Sequence, residues 1–255
     1  QHYTFNHMKI TTALQFSGGK DSLALLHLWR EKLDHTLVCW VNTGAAYPET
    51  VRQMFQIAAD VPHFLEINSD QPSNVKENGY PTDLVPLHFI PQGRAVVTND
   101  RDYRIQDTFS CCSVNIWFPM YQAMKDNGIT TVLRGQKNSD KYKTPFRSGY
   151  SQEGITYLFP LEDWTDEQVL KYLSDNNVTL PEHYAQGEKK SHDCWNCTGY
   201  LDEDAGRIHN LPVAQRTETI RRLRVINAAI KFQAQPLKQI LLDHDDDNDY
   251  LPYTR

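Results

Sequence analysis

At 255 residues and a net charge of −6, the chain is long enough to bury a full core and too acidic overall for a non-specific nucleic-acid binder, although it leaves room for a local basic groove. Hydrophobic residues at 40% and charged residues at 23% are ordinary for a soluble protein, and no apolar run is long enough to cross a membrane. The polar stretch Gln1–His7, ahead of Met8 as the expected natural start, holds no hydrophobic leader; the expectation is a cytoplasmic protein, with residues 1–7 set aside from the fold.

In chain order, Ile10–Phe16 reads as a buried strand and Asp21–Lys32 as a helix. Thr36–Val41 is a second strand and Pro48–Asp60 a helix with proline at its start. Pro62–Ile67 is a short third strand. Asn68–Arg104 is poorly periodic and interrupted by prolines and glycines, which suggests a long excursion over the ligand site, either a functional covering segment or structure that the pattern does not reveal. Cys112–Asn127 reads as a helix, Thr130–Arg134 as a strand ending at Gly135, and Ile155–Phe159 as another strand. Thr165 caps a helix to Asn176, with Asp166 and Glu167 in its positive first turn. Helical patterns follow, such as Thr217–Phe232, and Asp243–Asp249 reads as a solvated acidic tail. The alternation predicts an α/β fold, a mostly parallel twisted sheet with helices on both faces and a helical C-terminal region. The expected organisation is a nucleotide-binding domain over 8–200, a helical extension over 201–242 and a tail over 243–255.

Ligands of such sheets sit at the C-terminal strand ends. Three segments fall there: Ser17-Gly18-Gly19-Lys20-Asp21-Ser22, Asn42-Thr43-Gly44, and Gly135-Gln136-Lys137. The first is a glycine-rich turn from strand to helix. Its glycines allow close backbone approach, its N–H groups point inward, the helix N-terminus favours negative charge, and Lys20 adds a cation. Its spacing is not that of the GxxxxGKS/T loop. Of the five cysteines, Cys39 lies in an apolar run and reads as a small buried hydrophobe. Cys111-Cys112 and, about eighty residues on, Cys194-Trp195-Asn196-Cys197 make two tight pairs. Four such thiolates can complete a tetrahedral sulfur site for zinc or an iron–sulfur cluster, and spacing alone does not choose between them.

Ser17–Ser22 after a strand resembles the PP-loop signature of the ATP pyrophosphatases and their relatives (the adenine nucleotide alpha hydrolase-like fold). Val41-Asn42-Thr43-Gly44-Ala45-Ala46-Tyr47-Pro48-Glu49-Thr50 resembles the DTGxxFPET segment of the phosphoadenylyl-sulfate (PAPS) and adenylyl-sulfate (APS) reductases, with Asn42 in place of the usual aspartate. The CC…CxxC arrangement is similar to the motif that holds a 4Fe–4S cluster in assimilatory APS reductases. Tyr184, Gly187 and Ser191–Thr198 resemble that family's GCxxCT block, and Pro160–Thr165 its P-x-x-x-W-T helix start.

The resemblance covers roughly residues 10–200 and implies a PP-loop fold, an adenine nucleotide, sulfur chemistry and a cluster on Cys111, Cys112, Cys194 and Cys197. It implies that Ser17, Gly18, Gly19, Lys20, Asp21 and Ser22 hold phosphates, with Asn42, Thr43, Gly44, Gly135, Lys137 and Lys143 completing the nucleotide pocket. Lys20, Asp21 and Lys137 then carry the catalysis: Asp21 positions Mg²⁺, and Lys137 with Lys143 neutralises the leaving group. Lys137 stands where the family has an arginine, and Lys141 and Arg147 extend the cationic strip. The family's C-terminal ECGLH cysteine has no counterpart after Cys197. The expectation is therefore an ATP-dependent, adenylating sulfur transferase, ahead of an APS or PAPS reductase with a non-standard or partner-supplied thiol and of a non-catalytic cluster-bearing nucleotide-binding subunit. Implied partners are a cysteine desulfurase or thioredoxin-like sulfur donor, a nucleic-acid substrate reached through a partner, and a second copy of the chain.

Overall fold

A computed structural model describes residues 9–82, 85–98, 100–185, 188, 191 and 193–243. Gln1–Met8, Gly187, His192 and the tail beyond Asp243 lie outside the described residues.

β1 (Thr12–Gln15) turns at Ser17-Gly18-Gly19 into α1 (Lys20–Leu28). A 3₁₀ turn over Arg30–His35 leads to β2 (Thr36–Asn42), α2 (Pro48–Asp60) and β3 (Phe64–Asn68). α3 (Gln71–Asn78), β4 (Tyr80–Thr82), α4 (Pro91–Val96) and β5 (Ile105–Asp107) follow. One continuous helix then runs through α5 (Thr108–Cys112), a π turn over Ser113–Trp117 and α6 (Phe118–Asp126). β6 (Thr131–Leu133), β7 (Tyr150–Gln152), β8 (Ile155–Leu158), α7 (Asp166–Asp175), the short α8 (Glu182–Ala185), α9 (Leu201–Asn210), α10 (Val213–Gln233) and α11 (Gln235–Asp243) complete the chain.

The main sheet has the order β3-β2-β1-β6-β8-β7, with every neighbouring pair parallel except β7–β8. The chain steps outward from β1 to β3, then crosses back to lay β6 on the other side of β1. The reversal opens a crevice beyond the C-terminal ends of β1 and β6, where ligands of open α/β sheets bind. Successive strand residues face opposite sides. Leu14, Phe16, Val38, Trp40 and Leu133 join Leu23 and Leu25 of α1 and Val169 and Leu173 of α7 in one core; Ala13, Cys39, Val132 and Ile155 join Met124 of α6 in another. Cys39 is fully buried, and burial pushes its thiol up to about 12, the behaviour of a small core hydrophobe. Among the described residues no helix is long and apolar enough to cross a membrane.

One open expectation is decided and one is corrected. The 68–104 stretch holds secondary structure that its pattern does not reveal. β4 and β5 pair in parallel as a second small sheet, and Phe89 and Ile105 pack with Ile226 and Ala229 of α10 in a third core. The helix read from Cys112 starts earlier, at Thr108, because the Asp107 carboxylate accepts from the Ser110 N–H at 2.8 Å and caps it. Both cysteines of the first pair therefore sit on a helix, immediately before its π turn.

The second sheet rests on Gly79, whose φ of +107° and ψ of 178° suit only glycine. A Cβ there would lie 2.1 Å from the Arg104 carbonyl carbon. Gly79→Ala is expected to cost about 3 kcal/mol or more, read as a lower urea midpoint at unchanged slope.

Candidate functional site

At the head of the crevice the loop Ser17–Ser22 is closed by local bonds. Gly18 adopts φ +82°, its carbonyl accepts from Gln53 Nε2 at 3.1 Å, and Ser22 Oγ donates to the Gly19 carbonyl at 2.9 Å. Gly135, just past β6, lies so close that a Cβ would stand 3.0 Å from the Asp21 carbonyl. The turn after β1 and the residue after β6 thus meet backbone to backbone. From the opposite side Tyr184 of α8 covers the loop, its hydroxyl accepting the Lys20 N–H at 3.0 Å.

Lys20 and Lys137 form a charged centre. Lys20 Nζ lies 3.1 Å from Asp21 and 2.7 Å from Asp166 Oδ1. Lys137 Nζ lies 2.8 Å from Asp21, 2.8 Å from Asp140 and 3.3 Å from the same Asp166 oxygen. Burial acts to lower the Lys137 ammonium, but the hydrogen-bonding carboxylates of Asp140 and Asp21 outweigh it and hold the group above its usual range. Asp166 is held below the usual carboxylate range: partial burial opposes ionisation, and Lys20 and Lys137 override it. Lys143 stands outside this centre, exposed, its Nζ donating to the Asn138 carbonyl. Arg147 pairs with Glu162 at 3.0 Å. Asp166 and Asp140 were missed as charge partners of the lysines, and Tyr184 as the acceptor of the Lys20 N–H. Asp166 carried a local role, the first turn of α7, which conceals its reach across the crevice.

Asn42 serves the turn after β2. Its Oδ1 accepts the Gly44 N–H at 3.1 Å, and its Nδ2 donates to Glu66 at 2.8 Å. An aspartate here would face Glu66 as a like charge, which accounts for the amide. Gly44 supplies φ +77°. The same loop meets the second cysteine pair: Ala46 bridges Cys194, the Trp195 N–H donates to the Ala45 carbonyl, and Thr43 Oγ1 lies 3.3 Å from Cys194 Sγ.

The four cysteines gather beside this loop. Burial pushes Cys111 and Cys112 up to about 12 and Cys194 well above the usual thiol range, and neighbouring Cys197 adds in the same direction for all three. Each sulfur has its own polar neighbour. Asn115 Nδ2 lies 3.6 Å from Cys111, the Tyr200 hydroxyl 3.4 Å from Cys112, Thr43 Oγ1 3.3 Å from Cys194, and the Gly199 N–H 3.4 Å from Cys197. Among the described residues no three His, Cys, Asp or Glu side chains are drawn tightly enough to hold one metal ion. Four thiols from two separate segments, each with a polar neighbour, are a donor set of the kind that zinc or an iron–sulfur cluster takes, and the geometry does not choose between them. Buried Arg207 of α9 braces the segment, donating to the Trp195 and Cys197 carbonyls and to the Tyr47 hydroxyl.

The family model for the phosphoadenosine phosphosulfate reductase domain matches residues 11–200. The chain is 26% identical over 151 residues to the adenosine 5'-phosphosulfate reductase of Neisseria meningitidis, covering 58% of this chain and 55% of that protein. With the enzyme of the same name from Salinibacter ruber it shares 22% over 195 residues, 74% of this chain and 68% of that one. The chain thus spans about half the length of the first relative. The crystal structure of a PAPS reductase from Candida auris, a phosphate complex, has a similar fold: TM-score 0.52 at 19% identity, covering 74% of this chain and 83% of that one.

Proposed function

The chain belongs to the phosphoadenosine phosphosulfate reductase domain family, and from that premise we propose that it binds a sulfonucleotide, APS or PAPS, and serves its reduction to sulfite. One observation carries the reading: the Asn42–Tyr47 loop follows β2, the parallel neighbour of the strand that leads into the anion loop, and touches Cys194 directly, which supports nucleotide and thiol chemistry side by side. Both curated relatives carry the APS reductase name, which moves the sulfonucleotide ahead of the ATP favoured by the sequence reading.

In this reading the N–H groups of Gly18–Ser22 and the N-terminus of α1 receive an anionic group of the nucleotide, and Lys20 and Lys137 neutralise it. Asn42, Thr43 and Gly44 shape the adjoining wall. Cys111, Cys112, Cys194 and Cys197 would hold a 4Fe–4S cluster, which would supply a polarising group beside the nucleotide when bound. A thiolate attacks the sulfate sulfur, the S–O bond to the nucleotide phosphate breaks, and the nucleotide leaves with that oxygen and the electron pair. A dithiol then releases sulfite and is left as a disulfide. Cys39 is sealed in the core and the other four thiols form the cluster set, which accounts for all five cysteines, so in this reading the attacking thiol is supplied by a partner, a dithiol protein of the thioredoxin type.

That same distribution of thiols favours a second reading, ATP-dependent sulfur transfer, in which Mg²⁺ accompanies the triphosphate and Asp21 faces it. Anaerobically purified protein given APS and thioredoxin separates the two. Sulfite release establishes the reductase; no sulfite with pyrophosphate release from ATP establishes the transferase.

A further inference from the structure

The charged centre of the crevice is not positive. Two ammonium groups, Lys20 and Lys137, face three carboxylates, Asp21, Asp140 and Asp166, all within 3.3 Å of one or both. A net negative centre repels a phosphate or sulfate, yet it sits at the mouth of an anion-binding loop and the N-terminus of α1. For an anion to enter, one carboxylate has to leave.

We propose that Asp166 is a built-in competitor for the anion site, its carboxylate bridging Lys20 and Lys137 where a substrate phosphate or sulfate goes, so that binding displaces it. This rests on the reading of the crevice as a nucleotide-anion site. Asp166 is the carboxylate free to move. Its side chain is 57% exposed, against 27% for Asp21 and 29% for Asp140. Asp21 adjoins Lys20 on α1 and is gripped by both lysines. Asp140 is pinned twice, by Lys137 Nζ on one oxygen and by the Lys137 N–H, at 2.8 Å, on the other. Asp166 arrives from another element, the first residue of α7, and the two lysines are its contacts. It also has a place to go, because the positive end of α7 stabilises a carboxylate that swings outward. Its departure leaves two cations against two carboxylates, and the α1 N-terminus then tips the balance toward an anion. Tyr184 makes the same kind of substitution one step away, its hydroxyl occupying the Lys20 N–H. A ligand that bridges both lysines displaces Asp166; one that reaches only a single lysine does not, and the carboxylate becomes a selectivity filter.

The test compares parent protein with Asp166→Asn and Asp166→Glu by calorimetric titration of inorganic pyrophosphate, APS and ATP at fixed salt. If closure leaves about a tenth of the parent open, removing the charge tightens binding about tenfold. Asp166→Asn is expected to show that gain for all three probes, with a lower melting midpoint without ligand and a parent-like midpoint at saturation. Asp166→Glu keeps the weak parent affinity. A residue that only supports the fold would lower both midpoints and tighten nothing. Parent-like or weaker binding by Asp166→Asn overturns the competitor. If neither protein binds any probe, the crevice is not a nucleotide-anion site and both readings fall.

Discussion

Lys137→Met is expected to abolish anion binding and to destabilise the protein by about 3–5 kcal/mol, the cost of removing one partner from a buried charge network. Lys137 is 1% exposed and faces three carboxylates. Methionine fills a similar volume, so the loss reports charge rather than a cavity. Without the ammonium, Asp21 and Asp166 share Lys20 alone and Asp140 loses the Lys137 cation it faces. The pH dependence separates this from a packing defect. The Lys137 pKa is raised in the folded state. Its contribution is therefore complete below the unfolded lysine value of about 10.4 and fades as pH rises through the higher folded value. Asp166 is lowered. Its contribution is present above the unfolded value of about 3.9 and disappears as pH falls through the lower folded one. In the variant Asp166 keeps Lys20 but loses the contribution of Lys137, so it gains less from being charged. The gap between parent and variant is therefore wide at pH 7 and narrows below about pH 4, as Asp166 is neutralised. Urea midpoints at the two pH values check this; an equal gap at both would assign the loss to packing.

The parts of this site legible in the sequence are those built from consecutive residues. The glycine pair before Lys20 announces a strand-to-helix turn because the turn needs the φ that Gly18 adopts. Pro48 opens α2 and Thr165 caps α7, each a decision taken within four residues. The spacing of the two cysteine pairs raises the expectation of a sulfur site, and the fold brings residues of both pairs within electrostatic reach of one another. What stayed hidden depends on distant partners. Nothing local in Trp164-Thr165-Asp166 says that the carboxylate crosses to Lys20, because an acidic first turn already has a sufficient reason in the helix dipole. β4 and β5 are three residues each, one of them containing Pro81, and their parallel pairing spans an intervening helix, so neither has a period long enough to read. The edge strand β7 shows itself only once Glu153-Gly154, both at positive φ, turn the chain back along β8.

Cys194→Ser and Cys111→Ser are each expected to bring iron and acid-labile sulfide close to zero after anaerobic reconstitution, while Cys39→Ala keeps the parent content. The contrast follows from position. Cys39 stands in the core beneath α6, away from the crevice. Cys111 and Cys194 come from segments far apart in sequence that meet only through the fold, Cys111 on the helix of α5 and Cys194 against the β2 loop. A ligand set assembled from two rigid elements cannot recruit a replacement without moving one of them, and a serine hydroxyl is a poor substitute for a soft thiolate. The polar neighbours of the sulfurs predict a second, finer effect. Tyr200 holds a left-handed backbone, φ 57°, at the start of α9, and its hydroxyl lies 3.4 Å from Cys112. Such a conformation is costly for a tyrosine and persists only where the surroundings impose it. If that hydroxyl donates to a cluster thiolate, Tyr200→Phe retains iron but lowers the reduction potential, because the reduced, more negative cluster loses a stabilising donor. Iron content and potential thus report different things. Iron retained in both serine variants would remove Cys111 and Cys194 from the ligand set. A potential unmoved in Tyr200→Phe, with iron present, would leave the ligands standing and assign the tyrosine to the fold alone.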